Sequence, residues 1–227
     1  MDSAERQAFP LRDPTDHMVG LLHRRPSGSA SSEKPVNFEM KRVITISGLH
    51  GTGKSSVADR LAQDFGLRKV SAGIIFRTRA KQRGLTLEEF SKAAEGDTEI
   101  DKMLDDTLRQ EAAKGNVVLD GQLAAWMAGE HADLRILLTA PLDVRVKRIA
   151  DRDGSDFKFA KRETIARERS EKARYRKLYG INIADTTVYD IVLNTDKYDL
   201  EGVVAVLKAA IGTYLVAAER KAQEAED

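Results

Sequence analysis

The chain has 227 residues, 41% of them hydrophobic, with 37 Lys and Arg against 36 Asp and Glu and a formal net charge of +1. That length holds one α/β domain with a real core plus tails, and the even charge balance argues against nucleic acid or a membrane surface as a partner chosen by bulk electrostatics. Cysteine is absent, which excludes both a disulfide framework and a thiolate metal site. No apolar stretch approaches the roughly 20 residues of a membrane span. The amino terminus is polar and lacks the apolar core of an export signal, so the expected location is cytoplasmic.

Residues 1–38 read as a disordered leader. "RRPSGSASSEKP" is rich in Ser, Gly, Pro and charge and has no lasting apolar period. A domain is expected over 39–216, followed by a flexible tail over 217–227. Within the domain, strands and helices alternate. "RVITIS" (42–47) is short, β-branched and apolar, as suits a buried parallel strand. The helix after it carries Val57, Leu61 and Phe65 at four-residue intervals and stops at Gly66. "RKVSAG" (68–73) reads as a strand and turn, and "GIIFRTRAKQRG" as a helix ending at Gly84. "TLEE" (86–89) has the form of a capping box, Thr86 with Glu89. A helix over about 98–114 stops at Gly115. "NVVLDG" (116–121), "LRILLTA" (134–140) and "VYDIVLNT" (188–195) are further strands. Pro141 suits the first turn of a helix, and a last helix is expected from about 199 to 216. Strands separated by helices imply an α/β fold: a parallel sheet covered on both faces.

The loop after the first strand is Gly48-Leu49-His50-Gly51-Thr52-Gly53-Lys54-Ser55. It fits G-x-x-x-x-G-K-[ST], between a strand and a helix as that pattern requires. Glycines let backbone N–H groups converge on a phosphate, and the positive end of the next helix adds to their pull. The amides from Gly48 through Ser56 are therefore candidate ligands of a nucleoside triphosphate, expected to be ATP. Lys54 is long enough to reach the β- and γ-phosphates. Ser55 offers a hydroxyl oxygen to Mg²⁺, a hard ion that prefers oxygen. His50 reads as a tolerated loop residue.

Three later segments bear on what receives the phosphoryl group. In "VSAGIIFR", Ser71 and Gly73 lie at a strand-to-helix turn and Arg77 follows one turn on. In "VVLDGQ", Asp120 ends a strand, where a carboxylate commonly helps position magnesium, and Gly121 leaves room beside it. From Arg145 to Arg176 the chain is crowded with cations.

"ISGLHGTGKSSVA", "VSAGIIFR", "NVVLDGQLAAWM", "LTAPLDVRVKRIADRD" and "ETIARERSEKARYRKLYGINI" together resemble the archaeal-type cytidylate kinases of the nucleoside-monophosphate kinase group. The resemblance covers about residues 42–212, with the segments in family order. It implies a three-layer P-loop kinase fold, a helical monophosphate-binding segment over about 71–115, and a mobile lid over about 148–180. It implies transfer of the γ-phosphoryl group of ATP to CMP, and to dCMP, with Mg²⁺, by a monomer that needs neither nucleic acid nor a membrane. By motif position, Ser71, Gly73, Arg77 and Gln122 belong to the monophosphate side. Asp120 lies near the magnesium and the moving group. Arg148 and Arg152 match the cations that open the lid, Arg167 and Arg174 its phosphate-facing arginines, and Asn194 and Thr195 the loop near the adenine.

The family pattern usually has arginine where this chain has Gln122. Glutamine can donate a hydrogen bond but cannot clamp a phosphate as an ion, which bears on monophosphate affinity and acceptor identity. Asp97, Asp101 and Asp105 recur every fourth residue and read as an exposed acidic stripe, with Asp101 on the cytosine amino group or the ribose as the alternative. Tyr175 and Tyr179 read as lid packing, Trp126 and Met127 as core. Two other functions fit the same features: a kinase of this fold acting on another acceptor such as AMP, and an ATP-dependent switch or RNA-associated assembly factor.

Overall fold

A computed structural model describes residues 41–226 of the chain; the expected leader lies outside the described residues. Five strands form one parallel sheet. They are β1 (Val43–Ser47), β2 (Arg68–Ser71), β3 (Val117–Asp120), β4 (Leu134–Thr139) and β5 (Ile191–Asn194), side by side in the order β2-β3-β1-β4-β5. The chain leaves β1 toward one edge of the sheet and later returns to fill the other. Ligands of open parallel sheets bind at such a reversal, beyond the carboxyl ends of the strands.

Alternation along the strands divides the core in two. Ile44, Ile46, Val118, Ile136 and Leu138 face one side, under α1 (Lys54–Asp64) and α8 (Leu200–Glu226). Val43, Val117 and Leu119 face the other, under α4 (Thr98–Lys114) and the short α5 (Ala124–Ala128). Met127 is buried in that second cluster, and Trp126 stacks edge-on against Tyr189 at its rim. Between β2 and β3 the chain forms α2 (Ala72–Gln82), α3 (Leu87–Gly96) and α4, which share a satellite core of Phe76, Phe90, Ala94, Ile100 and Leu104. The capping box at Thr86 and Glu89 is formed in both directions.

After β4 come α6 (Leu142–Asp153) and the long α7 (Phe157–Tyr179), joined by a small cluster of Val146, Ala150 and Ala160. Pro141 stands one position outside α6, as its N-cap, rather than inside the first turn. The last helix departs from the reading of the sequence. The stretch after Val216, which reads as a fraying, solvated helix end, is part of the same helix, which continues to Glu226. Among the described residues α8 is also the one helix long and apolar enough to cross a membrane, which corrects the expectation that no such stretch exists. Alanine and glycine dilute its valines, so no unbroken run of large apolar residues marks it. Here Val203, Val204, Leu207 and Ile211 are buried against the sheet, and Glu201 and Lys208 are paired with Arg60 and Asp64 of α1.

Candidate active site

β1 delivers the chain to the loop, and two glycines let it turn there. Gly48 has φ +145°, and an added Cβ would run into the carbonyl oxygen of Leu138 on β4. Gly51 has φ +78°, and its Cβ would strike the carbonyl oxygen of Arg145 on α6. Both positions exclude a side chain twice over, by conformation and by space. Thr52 Oγ donates to Leu49 O at 2.9 Å and Lys54 Nζ donates to the same carbonyl at 2.8 Å, so the loop is internally tied. Gly53 caps α1 in the left-handed conformation, which places Lys54, Ser55 and Ser56 in the first helical turn, where N–H groups are free. Burial lowers the Lys54 ammonium from its usual pKa, with Asp120 and Glu171 opposing that shift.

Strand register brings the next group in. Asp120 lies opposite Ile46 on one side and Ser71 on the other. Its Oδ2 accepts from Ser55 Oγ at 2.7 Å and from Ser71 Oγ at 2.8 Å. Asp120 is buried, so these hydroxyls replace the water it has lost. A hydroxyl and a carboxylate oxygen converging at a phosphate loop are the hard donors that Mg²⁺ takes. No cluster of three or more acidic or imidazole ligands exists among the described residues. The donor set thus fits an ion that keeps waters and binds phosphate oxygens, not one held in an all-protein cage.

Cations gather over this pair. The Arg77 guanidinium reaches back along α2 to lie over Gly73, where an added Cβ would meet Nη1 at 3.4 Å. Among the described residues Arg77 has no hydrogen-bond or carboxylate partner. Burial lowers its pKa, and Arg152 and Arg167 lower it further. Guanidiniums from α6 and α7 therefore both act against the Arg77 guanidinium of α2. Such an arrangement is relieved by an anion. Arg152 is exposed and paired with its neighbour Asp153 at 2.7 Å.

Glu171 on α7 is the residue that the sequence reading passed over. It is buried, and its Oε2 accepts from His50 Nε2 at 2.7 Å and from Gln122 Nε2 at 2.5 Å. Its Oε1 accepts from Arg167 Nε at 3.0 Å. Burial would push this carboxyl up, but His50, Arg167 and Gln122 outweigh burial and hold it well below the usual carboxylate range. Burial lowers the His50 imidazole against the pull of Glu171. His50 is thus not a bystander of the loop, and Gln122 donates to a carboxylate rather than standing free for a phosphate. Arg and Glu alternate along α7 as they do on a solvated face; only the approach of the loop removes Glu171 from water.

The remaining candidates are distributed around this centre. Arg148 donates to Thr195 Oγ at 2.9 Å and to Thr195 O at 2.8 Å, and Thr195 Oγ in turn donates to Thr52 O at 3.2 Å. Arg148 and the turn after β5 therefore meet at the far side of the loop. Asn194 is exposed there and its Oδ1 accepts from Asp196 N. Arg145 is buried, paired with Glu168 and donating to His50 O at 2.8 Å, so it buttresses the loop from below.

Arg174 differs from expectation. It is buried on Asp101 of α4, Nε to Oδ2 at 2.7 Å, with Ser170 Oγ as a second partner, and does not reach the loop. Asp101 and Asp105 are buried, which corrects the reading of an exposed acidic stripe; Asp97 instead caps α4. α7 crosses that face of α4, and the sequence gives no sign of the crossing. Tyr175 and Tyr179 pack against the second core cluster, as expected.

The model of the cytidylate kinase-like family matches residues 43–197. The cytidylate kinase of Pyrococcus horikoshii is 46% identical over 171 residues, covering 75% of this chain and 88% of that protein. The cytidylate kinase of Staphylothermus marinus is 47% identical over 173 residues, covering 76% of this chain and 98% of that protein. Among solved structures, a gluconokinase from Sinorhizobium meliloti shares the fold alone, with a TM-score of 0.53 at 15% identity over 81% of this chain and 97% of that one. A strand-bordered phosphate loop, a carboxylate one strand away and a family match across the whole sheet leave one placement: the chain belongs to the cytidylate kinase-like family.

Proposed function

We propose that this protein transfers the γ-phosphoryl group of ATP to CMP, giving CDP and ADP, and that dCMP is a second acceptor. The observation that carries the reading is Arg77. Its guanidinium lies over Gly73 at the mouth of the site, unpaired among the described residues and opposed by Arg152 and Arg167. A monophosphate dianion beside the phosphate loop supplies the missing charge. The likeness to proteins named cytidylate kinase supports the pyrimidine acceptor.

In this reading the amides of 48–56 and Lys54 hold the triphosphate of the donor. Arg148, Asn194 and Thr195 border the donor's base. Arg77, Ser71 and Gly73 receive the monophosphate. One oxygen of that monophosphate attacks the γ-phosphorus, the bond to the β-bridging oxygen breaks, and ADP leaves. The nucleophile is already an anion, so no strong general base is required. Ser55 and Asp120 would hold Mg²⁺, which supplies charge neutralisation on the phosphates when bound. Lys54, Arg152 and Arg167 face the charge that builds on the equatorial oxygens. Residues 148–180 act as a lid that excludes water, a competing acceptor. Both substrates are small and soluble, so a cytoplasmic monomer meets the requirements of the reaction.

The test is an acceptor screen with ATP and Mg²⁺ against CMP, dCMP, UMP and AMP. Initial rates with CMP at least about tenfold above AMP at equal concentration are expected, the ratio that a 1.4 kcal/mol difference in transition-state binding gives. A preference for AMP would overturn the acceptor assignment.

A further inference from the structure

Three groups from three parts of the chain meet at the carboxylate of Glu171 on α7: His50 from the loop, Gln122 after β3, and Arg167 one turn earlier on α7 itself. We infer that Glu171 is a positioning residue, which acts by joining the phosphate loop to Arg167 and aiming that guanidinium at the transfer site. The inference rests on the proposed function, in which Arg167 faces the moving phosphoryl group.

The donors leave little freedom. The Gln122 amide nitrogen donates to Glu171 Oε2, and that same oxygen is 2.7 Å from His50 Nε2, so the imidazole carries its proton on Nε2. Oε1 is left for Arg167, which binds it through Nε at 3.0 Å. The Arg167 Cζ lies over the Phe76 ring, 5.5 Å from its centre. The guanidinium is thus held at Nε by Glu171 and sits over the Phe76 ring. Its Nη groups make no hydrogen bond among the described residues, and they are the atoms that can fork onto a phosphate.

A plain structural tie does not account for this. α7 is already fastened to the loop one turn earlier, where Glu168 pairs with Arg145 and Arg145 donates to His50 O. A second buried carboxylate at the same junction costs desolvation of its own. It also leaves Gln122 Oε1 buried without a partner, a cost that a purely structural contact would not need. What the arrangement adds is orientation of Arg167.

If Glu171 acts through Arg167, its loss has no further effect once Arg167 is gone. The experiment is a double-mutant cycle on the full chain, with initial rates of CDP formation from ATP and CMP. Glu171→Gln replaces one acceptor with a donor facing His50 and Gln122, which turns the side chain and frees Arg167. A kcat reduced about 10- to 100-fold with KM for ATP within about threefold is expected, the size of losing one aligned transition-state donor. In an Arg167→Ala background the same change is expected to cost less than about twofold, because contacts that act as one unit are not additive. Equal losses in both backgrounds would overturn the inference, as would no loss in the wild type.

Gln122→Leu is run in parallel in case Glu171→Gln fails to fold. It removes one donor only, and its smaller loss is also expected to vanish with Arg167→Ala; persistence of the loss would count against the bridge. A readout independent of the acceptor is the side-chain Nε–H NMR signal of Arg167, assigned by Arg167→Lys. It is expected downfield and slow to exchange in the wild type and lost in Glu171→Gln. A wild type that phosphorylates no nucleoside monophosphate would sink the proposed function. An Arg167 signal indifferent to Glu171 would sink the bridge.

Discussion

Ser55 Oγ donates to Asp120 Oδ2 at 2.7 Å, joining the first turn of α1 to the end of β3. The register of β3 on β1 makes the contact, because it sets Asp120 opposite Ile46, two residues before Gly48. Replacing Asp120 by Ala removes one of the two hard donors proposed for the metal. A kcat lower by about 100-fold or more and a weakened dependence on Mg²⁺ concentration are expected. Titration of CDP formation against Mg²⁺ checks this, and an unchanged Mg²⁺ midpoint would remove Asp120 from the metal site.

Lys54 is half-buried at the glycine loop, and its Nζ donates to Leu49 O. Lys54→Ala is expected to lower kcat by about 100- to 1000-fold, as for loss of a preorganised charge at the reacting group. The circular dichroism spectrum should not change, because the side chain holds no part of the core. Near-normal transfer by this variant would contradict the assignment of the loop.

Arg77 and Gln122 separate the acceptor site from its surroundings. Arg77→Ala is expected to raise KM for CMP about 10- to 100-fold, with KM for ATP nearly unchanged, since one charge-assisted contact to phosphate contributes about 1.5–3 kcal/mol. Gln122→Arg is expected to leave KM for CMP within about twofold. The new guanidinium would pair with Glu171, which is nearer than any phosphate, and would compete with Arg167 there. A marked fall in KM for CMP would mean that position 122 faces the acceptor after all.

Asp105 is buried on α4 with Oδ2 lacking a partner, and the Tyr179 hydroxyl beside it closes no hydrogen bond. Burial pushes its carboxyl up to about 6, with Asp101 and Asp106 adding to the shift and Arg109 opposing it. The folded chain therefore holds a proton there between about pH 4 and pH 6 that the unfolded chain does not. Its contribution to stability is complete at the acid end and is lost as pH rises through about 6. Asp105→Asn is expected to be more stable than the wild type by about 1–3 kcal/mol at pH 7.5 and equal to it at pH 4. The lowered pKa values of His50 and Glu171 act in the opposite direction but are common to both proteins. Urea unfolding at the two pH values measures the difference, and a pH-independent gap would refute the titration of Asp105.

Arg174 and Asp101 form a buried pair between α7 and α4. Arg174→Leu strands Asp101 and is expected to cost about 3–5 kcal/mol, whereas Arg174→Leu with Asp101→Leu is expected to regain most of it. Urea midpoints decide. If the single change left stability intact but abolished transfer, Arg174 would belong with the phosphates.

Much of this protein was legible in one dimension. The β-branched run 43–47, the glycines at 48, 51 and 53 and the Lys-Ser pair identify a strand, a phosphate loop and a helix start, because each depends on backbone conformation and neighbours a few residues away. The same holds for the capping box at Thr86 and for helix ends at glycine. Parallel topology also followed, since alternating strands and helices have few other ways to bury both faces. What required the tertiary structure was every judgement about who meets whom. His50 read as filler and Glu171 as one acid on a charged helix, yet they lie 121 residues apart in sequence and 2.7 Å apart in space. Asp101 reads as part of an exposed stripe and Arg174 as a phosphate-facing lid arginine, yet the crossing of α7 over α4 pairs them. Burial of a charge depends on which surfaces approach it, and long-range approach leaves no periodic trace in the residues around it. Local chemistry was written in the order of the residues; the charge state and partners of that chemistry were decided only by packing.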